Sequence, residues 1–393
     1  MRYEIVHLPK EQWKGTVLPI RYETDRYYDV SVKKTEAGFS VAIEKKSFSE
    51  PVTHTPEEYD FPDRLYAAHW ENAYAWGVLE GGELIAAMET DQEVWSNRLR
   101  ITELWVKEGY RRQGIGRAFL NIAKEQARRE RRRAVILETQ SCNVNAVDFY
   151  LHEGFTLIGF DACCYKNNDL DRKEVRLELG WFPKEKARLN RGELEIRPET
   201  EADHYAAEEM TRRAFFNKHH LGCDEHYLVH KLRRDKDYLP ELSRLAAKDG
   251  AVIGAIYYSR ARVENGAGAR EILTFGPLCV APEWQGRGVG ELLLRETMAN
   301  AAEMGYKGIV IYGEPDYYPR IGFKTCDHFC ITTPEGKNFD AFMGIELCPG
   351  GMEGIEGKFY ESEVFTDLPK DEVEAYDVKF PVFKKMRFPG QWD

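Results

Sequence analysis

The chain is 393 residues long, 43% hydrophobic and 31% charged, with a formal net charge of -11 and a pI of about 5.6. At about 150 residues per domain, that length is too great for one ordinary core and suits two. The acidic balance disfavours a nucleic-acid partner, no apolar run approaches a membrane span, and the first ten residues lack a signal-peptide core; the expectation is a cytoplasmic globular protein.

Residues 27–32 and 39–43 alternate apolar and polar around the turn Thr35-Glu-Ala-Gly38, which predicts a hairpin. The polar, Pro-containing stretch 48–62 reads as loop. Strands are expected over 75–79 and 83–89, flanking Glu80-Gly-Gly82, and over 101–106. Next comes Arg111-Arg-Gln-Gly-Ile-Gly-Arg117. From its fifth residue on, Ile115, Phe119, Ile122 and Ala123 fall on one face of a helix. A strand over 134–137 and the run Tyr150-Leu-His-Glu-Gly-Phe155 follow. The charged segment 183–192 has no apolar periodicity and reads as a linker between domains 1–182 and 193–393. The second domain opens with a strand over 194–198 and a helix over 201–215, with Thr200 as its cap.

The same order then recurs. A strand over 272–280 leads to Gln285-Gly-Arg-Gly-Val-Gly-Glu291, an apolar-periodic helix, a strand over 308–312, and Tyr318-Pro-Arg-Ile-Gly-Phe323. Two copies of one arrangement mean a pair of domains. In each copy a two-glycine loop joins a strand to a helix whose first N–H groups have no internal partner. With the positive end of the helix dipole these make an anion site, which glycine lets a phosphate approach closely. The spacing is neither Walker A nor the dinucleotide fingerprint.

Arg/Gln-x-x-Gly-x-Gly after a strand resembles the pyrophosphate loop of the GNAT acetyltransferase superfamily, and Tyr-x-x-x-Gly-Phe resembles that family's next motif. The first copy is similar to streptothricin acetyltransferases through Leu137-Glu-Thr-Gln140, Asn143-x-x-Ala146-x-x-Phe149-Tyr150 and Gly154-Phe-Thr-Leu-Ile-Gly159. The second is similar to a broad group of bacterial N-acetyltransferases through Gly313 to Phe323. Asn143 has Ile311 as its counterpart, counted back from the tyrosine, so the second copy lacks that polar contact.

The resemblance implies an α/β (α+β) fold of two domains, each a mixed, mostly antiparallel twisted sheet flanked by helices. It implies acetyl-CoA as co-substrate, no metal, and a small-molecule amine as acceptor, cationic and antibiotic-like. It places coenzyme A on Arg111, Arg112, Gln113, Gly114, Ile115, Gly116, Arg117 and Asn143 in the first copy. In the second it uses Gln285, Gly286, Arg287, Gly288, Val289, Gly290 and Glu291. The thioester carbonyl would meet backbone N–H groups near Trp105 and Val106, or near Cys279 and Val280. Tyr150 and Tyr318 are the candidates to support the leaving thiolate; a core tyrosine packed before the Gly-Phe turn is the competing reading.

For the amine, Glu103 is the only acid in the strand 101–106, and strict alternation would put it on a sheet face with Ile101 and Trp105. A solvated strand carboxylate is the competing reading. The second copy has Phe275-Gly-Pro-Leu278 there and no acid, so its base is unassigned. The basic cluster from Lys124 to Arg133 reads as a solvated helix end. Neither the Cys326/His328/Cys330 cluster nor the His219-His220 and His226/His230 pairs completes a metal site, and eight scattered cysteines suit reduced thiols. Two rivals remain: a tandem biosynthetic acyltransferase with one silent half, and an acyl-CoA-binding module without turnover. The oligomeric state is open, a homodimer included.

Overall fold

A computed structural model describes residues 3–58, 62–184 and 186–391. The chain divides into two compact units, Met1–Lys184 with Met386–Pro389, and Glu185–Lys385 with Gly390–Asp393. No helix among the described residues is long and apolar enough to cross a membrane.

The first unit runs β1 (Ile5–Leu8), α1 (Lys10–Trp13), β2 (Tyr22–Thr35), β3 (Gly38–His54), β4 (Tyr74–Glu80), β5 (Glu83–Glu93), β6 (Arg98–Val106), α2 (Ile115–Arg129), β7 (Ala134–Gln140), α3 (Val144–His152), β8 (Thr156–Asp161), α4 (Asp169–Arg172) and β9 (Arg176–Trp181). Its seven-stranded sheet has the order β1-β4-β5-β6-β7-β9-β8. All pairings are antiparallel except β6 with β7, which meet only over Arg98–Arg100 against Ala134–Ile136. Beyond Arg100 the two parallel strands pair no further, and that split positions the site. Ile115, Phe119, Ile122 and Ala123 are all buried on one face of α2, as their spacing predicts. A second apolar cluster, with Leu8, Leu18, Leu65, Tyr66 and Trp105, covers another part of the sheet.

β2 and β3 form a separate two-stranded ribbon, much longer than the hairpin expected from 27–43. The segment 48–62 was expected as loop, yet β3 continues through Pro51 to His54. The ladder lapses between Arg26–Ser47 and Thr24–Val52, so Pro51 sits where no N–H is needed.

The second unit runs β10 (Glu195–Arg197), α5 (His204–Phe215), α6 (Glu225–Leu232), β11 (Arg244–Lys248), β12 (Ala251–Asn265), β13 (Gly268–Val280), α7 (Val289–Glu303), β14 (Gly308–Tyr312), β15 (Lys324–Thr325), β16 (Ile331–Thr332), β17 (Phe342–Glu346), β18 (Gly357–Tyr360) and α8 (Lys370–Asp377). Its sheet follows β10-β11-β12-β13-β14-β17-β15, with β18 beside β12 and β16. Again the parallel pair, β13 with β14, has one register contact (Leu273 with Ile309) before it splits. A 3-10 turn, Glu201–Asp203, precedes α5; the Thr200 N–H donates to the Asp203 carboxylate at 2.9 Å. Residues 186–190, expected as free linker, lie along this unit's own loop: Leu189 N–H donates to the Arg287 carbonyl at 2.8 Å.

Candidate functional site

Each glycine loop is built by alternating left-handed residues. Arg112 (φ 61°) and Gly114 (φ 85°) occupy that region in the first unit, Gly286 (φ 78°) and Gly288 (φ 85°) in the second. Gly114 caps α2 and Gly288 caps α7 with nearly identical torsions. A Cβ on Gly114 would touch nothing within 4 Å, so conformation, not space, demands glycine there. The next glycine is needed for space. A Cβ on Gly116 would lie 3.2 Å from the Phe149 ring, and one on Gly290 would lie 3.1 Å from the Tyr317 hydroxyl. The aromatic residue before each motif tyrosine therefore packs on the first turn of the helix. Ile115 and Val289, both 1% exposed, pin the loops to the cores.

The leading side chain of each motif braces the loop. Arg111 Nε donates to the Val106 carbonyl at 3.0 Å, and Gln285 Nε2 donates to the Val280 carbonyl at 2.9 Å. Either residue type serves, because both present an N–H at the end of a reach of similar length. Gln113 donates to the Gly109 carbonyl at 3.0 Å, and Arg117 pairs with Glu153 at 2.7 Å. Arg287 stacks on Trp284. Glu291 in the first turn of α7 is neutralised by Arg188 at 2.8 Å and Arg295 at 2.9 Å.

Along β6, Trp105 pairs with Ala87 and Lys107 N–H donates to the Ile85 carbonyl at 2.8 Å. Strand alternation then turns the N–H groups of Leu104 and Val106 toward the split with β7. In β13 the same reasoning, from Cys279 paired with Ala255 and Ala281 N–H on the Ile253 carbonyl, turns Leu278 and Val280 outward. Of the pairs named from the sequence, Trp105 and Cys279 spend their backbone on the ladder, and the Cys279 side chain meets Thr211 Oγ1 at 3.3 Å. Leu104 and Leu278 were missed; finding them needs the ladder partner, which the sequence does not state.

The split opens into a groove of about 590 Å³ lined by Leu104, Val106, Gly114, Gly116, Asn143, Phe149 and Tyr150. Asn143 caps α3, its side chain accepting from the Ala146 N–H at 3.3 Å. In the second unit the carbonyl that accepts from residues three and four further on belongs to Glu314, not Ile311, because a four-residue turn replaces the nine-residue α3. The residue-counting equivalence of Ile311 therefore fails. Tyr150 is 7% exposed, and burial pushes its phenol, like that of Tyr318, far above the ordinary value. Both are held as neutral O–H donors.

β6 carries a bulge: Glu103 faces Glu89 and Ile101 faces Thr90, with Thr102 extra between them. Ile101 therefore joins the core with α2, whereas Trp105 joins the cluster with Leu65 and Tyr66. The expectation that Glu103 shares a face with both is corrected to Trp105 alone. Burial, then the Asp63 and Glu89 carboxylates, holds Glu103 well above the usual range, and Glu138 adds to the rise. Asp63 is itself raised by burial and Glu138. No ion pair to Glu103 is formed among the described residues. Glu103 is only partly exposed and stands in an acidic cluster, of which the sequence disclosed only Glu103 itself. In β13 the bulge falls at Gly276-Pro277, opposite Tyr257, so the position of Glu103 is filled by Pro277.

The basic cluster is spent within the fold: Lys124 donates to the Glu153 carbonyl, Arg129 and Arg132 pair with Glu125 and Glu130, and Arg133 donates to the Ser96 carbonyl. Among the described residues two groups of metal-ligating types come together, His54/Glu58/Glu174 and His220/Asp224/Glu225, so His220 has acidic neighbours beside it. Arg172 already holds Glu174 through both oxygens, at 2.7 and 2.8 Å. All eight cysteines are free thiols.

Residues 41–155 match the acetyltransferase (GNAT) family model and residues 241–325 an acetyltransferase (GNAT) domain model. The uncharacterized N-acetyltransferase YjhQ of Escherichia coli K12 is 36% identical over 119 residues, 30% of this chain and 62% of YjhQ. A streptothricin acetyltransferase from Escherichia coli is 29% identical over 112 residues, 28% of this chain and 64% of that one. The chain thus spans less than two thirds of each. The structure of YhbS from Escherichia coli in complex with CoA is 26% identical, covering 48% of this chain and 98% of YhbS with a TM-score of 0.40. With both sequence motifs, both split sheets and both family matches in register, the chain carries two domains of the GNAT acetyltransferase family.

Proposed function

We propose that this chain is an acetyl-CoA-dependent N-acetyltransferase whose first unit acts on a primary amine of a small cationic acceptor. One observation carries the reading: Glu103, its proton affinity raised by burial and with no ion pair among the described residues, sits among Asp63, Glu89 and Glu138 on the split strand that also turns the Val106 N–H into the groove. A carboxylate whose proton affinity is raised is matched to taking a proton from an ammonium group near neutral pH. The surrounding carboxylates favour a cationic acceptor. In this reading the loop 111–117 cradles the diphosphate of coenzyme A, the Leu104 and Val106 N–H groups polarise the thioester carbonyl, and the Tyr150 hydroxyl donates to the departing sulfur. Coordinated metal has no part in the chemistry, and a cytoplasmic setting supplies the acetyl-CoA. The similarity to a streptothricin acetyltransferase supports an antibiotic-like amine.

The test is release of free CoA from acetyl-CoA with a panel of diamines, β-lysine-like amines and aminoglycosides. Acceptor-dependent release that Glu103→Gln removes supports the reading. CoA binding without acceptor-dependent release from any amine supports the acyl-CoA-binding module instead.

A further inference from the structure

The second unit offers the same loop, outward N–H groups and tyrosine, but no acid on its bulge. Its cleft is closed from another direction. The segment following β18 crosses to the bulge: a Cβ on Gly276 would lie 3.3 Å from the Phe365 ring. Val364 packs in one cluster with Tyr257 and Cys279, the residues beside and beyond that bulge. Ser362 is tied by its hydroxyl to Asp235 at 3.0 Å. Between this anchored turn and β18 stands Glu361. Its carboxylate forms no hydrogen bond or ion pair among the described residues. It is near enough to Tyr312, the last residue of β14, for its charge to raise that phenol. Glu361 therefore lies near the strand end on one side of the split, and Phe365, four residues on, lies against the bulge on the other.

We infer that Glu361 takes the proton from the acceptor amine in the second unit, the part Glu103 plays in the first. The inference rests on the acetyltransferase reading given above. Burial alone raises Glu361 to about 7, where a carboxylate both accepts and releases a proton readily at neutral pH. The bookkeeping of protons closes. The ammonium acceptor loses one proton to Glu361, which later passes it to water. The neutral amine forms the C–N bond as the C–S bond breaks. A second proton reaches the thiolate through the Tyr318 hydroxyl, and the third stays on the amide nitrogen. A fixed acid in the strand is thus replaced by one delivered from a later segment, which leaves the acceptor pocket of the second unit shaped by different residues from the first.

The experiment uses the full chain with the first unit silenced by Glu103→Gln and Tyr150→Phe, and follows CoA release with the amine panel across pH 6 to 10. Adding Glu361→Gln should lower kcat/KM about 100-fold at pH 6.5 to 7, with the loss shrinking as pH nears the amine's own pKa and CoA affinity unchanged. Adding Glu361→Asp, which keeps a carboxylate, should restore part of the rate. Residual turnover that is sensitive to Tyr318→Phe but indifferent to Glu361→Gln overturns this assignment and leaves the acetyltransferase reading standing. A loss that is constant across pH overturns it too, marking Glu361 as a group that only binds positive charge. A silenced-first-unit chain with no turnover on any amine overturns both for this unit.

Discussion

Replacing Glu103 by Gln separates a proton-accepting carboxylate from a structural one, because rate and stability should move in opposite directions. In the folded chain the Glu103 carboxyl binds its proton more tightly than in the unfolded chain, through burial and the Asp63 and Glu89 charges. Folding is then favoured by protonation. The associated stability is fully present below the unfolded carboxyl pKa of about 4.3 and is lost as pH rises through the raised folded value. Each tenfold gain in proton affinity corresponds to about 1.4 kcal/mol, and wild type gives up that much per pH unit only between the unfolded and the raised folded value. Gln is isosteric and carries no charge. Glu103→Gln should therefore match wild type in urea unfolding near pH 4 and exceed it at pH 8. Over the same range kcat/KM at pH 7 should fall by about 10²–10⁴, because an amine of pKa about 10.4 arrives protonated with nothing to neutralise it. The deficit should narrow toward pH 10. Parallel stopped-assay kinetics and denaturant titrations at pH 4, 7 and 8 measure both. A variant that is less stable at pH 8, or equally active at pH 7, refutes the reasoning.

Tyr150→Phe should lower kcat with little change in CoA affinity, and Tyr318→Phe should do the same in the second unit; single-turnover kinetics with CoA titration distinguishes the two quantities. Gly116→Glu or Gly290→Glu sets a carboxylate where phosphate would lie and presses on Phe149 or Tyr317, so each should remove one of two CoA sites in calorimetry; two intact sites would end the loop assignment. Gly114→Ala should cost about 1 kcal/mol or more by circular-dichroism melting, since φ 85° strains any side chain. The Asp224 carboxylate, 3.3 Å from His220, raises that imidazole to about 9. The stabilisation is present below the unfolded His pKa of about 6.5 and lost as pH passes 9. Asp224→Asn should thus be less stable by up to about 1 kcal/mol at pH 6 and unchanged at pH 10.

The sequence alone determined the duplication, because a loop that must turn left-handed at a helix cap has to spell glycine. Gly114 and Gly288 announce themselves wherever they fold. The face of α2 was legible for a similar reason: helical periodicity is local, and Ile115, Phe119, Ile122 and Ala123 need no knowledge of their partners. The tyrosines were legible through the fixed distance to Gly-Phe. What the sequence left undecided depends on residues far apart in the chain. A bulge is a mismatch between two strands, so the face of Glu103 could not follow from alternation within β6. The outward N–H groups of Leu104 and Leu278 follow from which neighbour each strand pairs with. The acids around Glu103 arrive from 63, 89 and 138, and Glu361 arrives beside the second cleft from a segment after the last strand. Each is a charge with no local signature. Only the packed fold removes these carboxylates from water and sets them near one another, and that is what changes their chemistry.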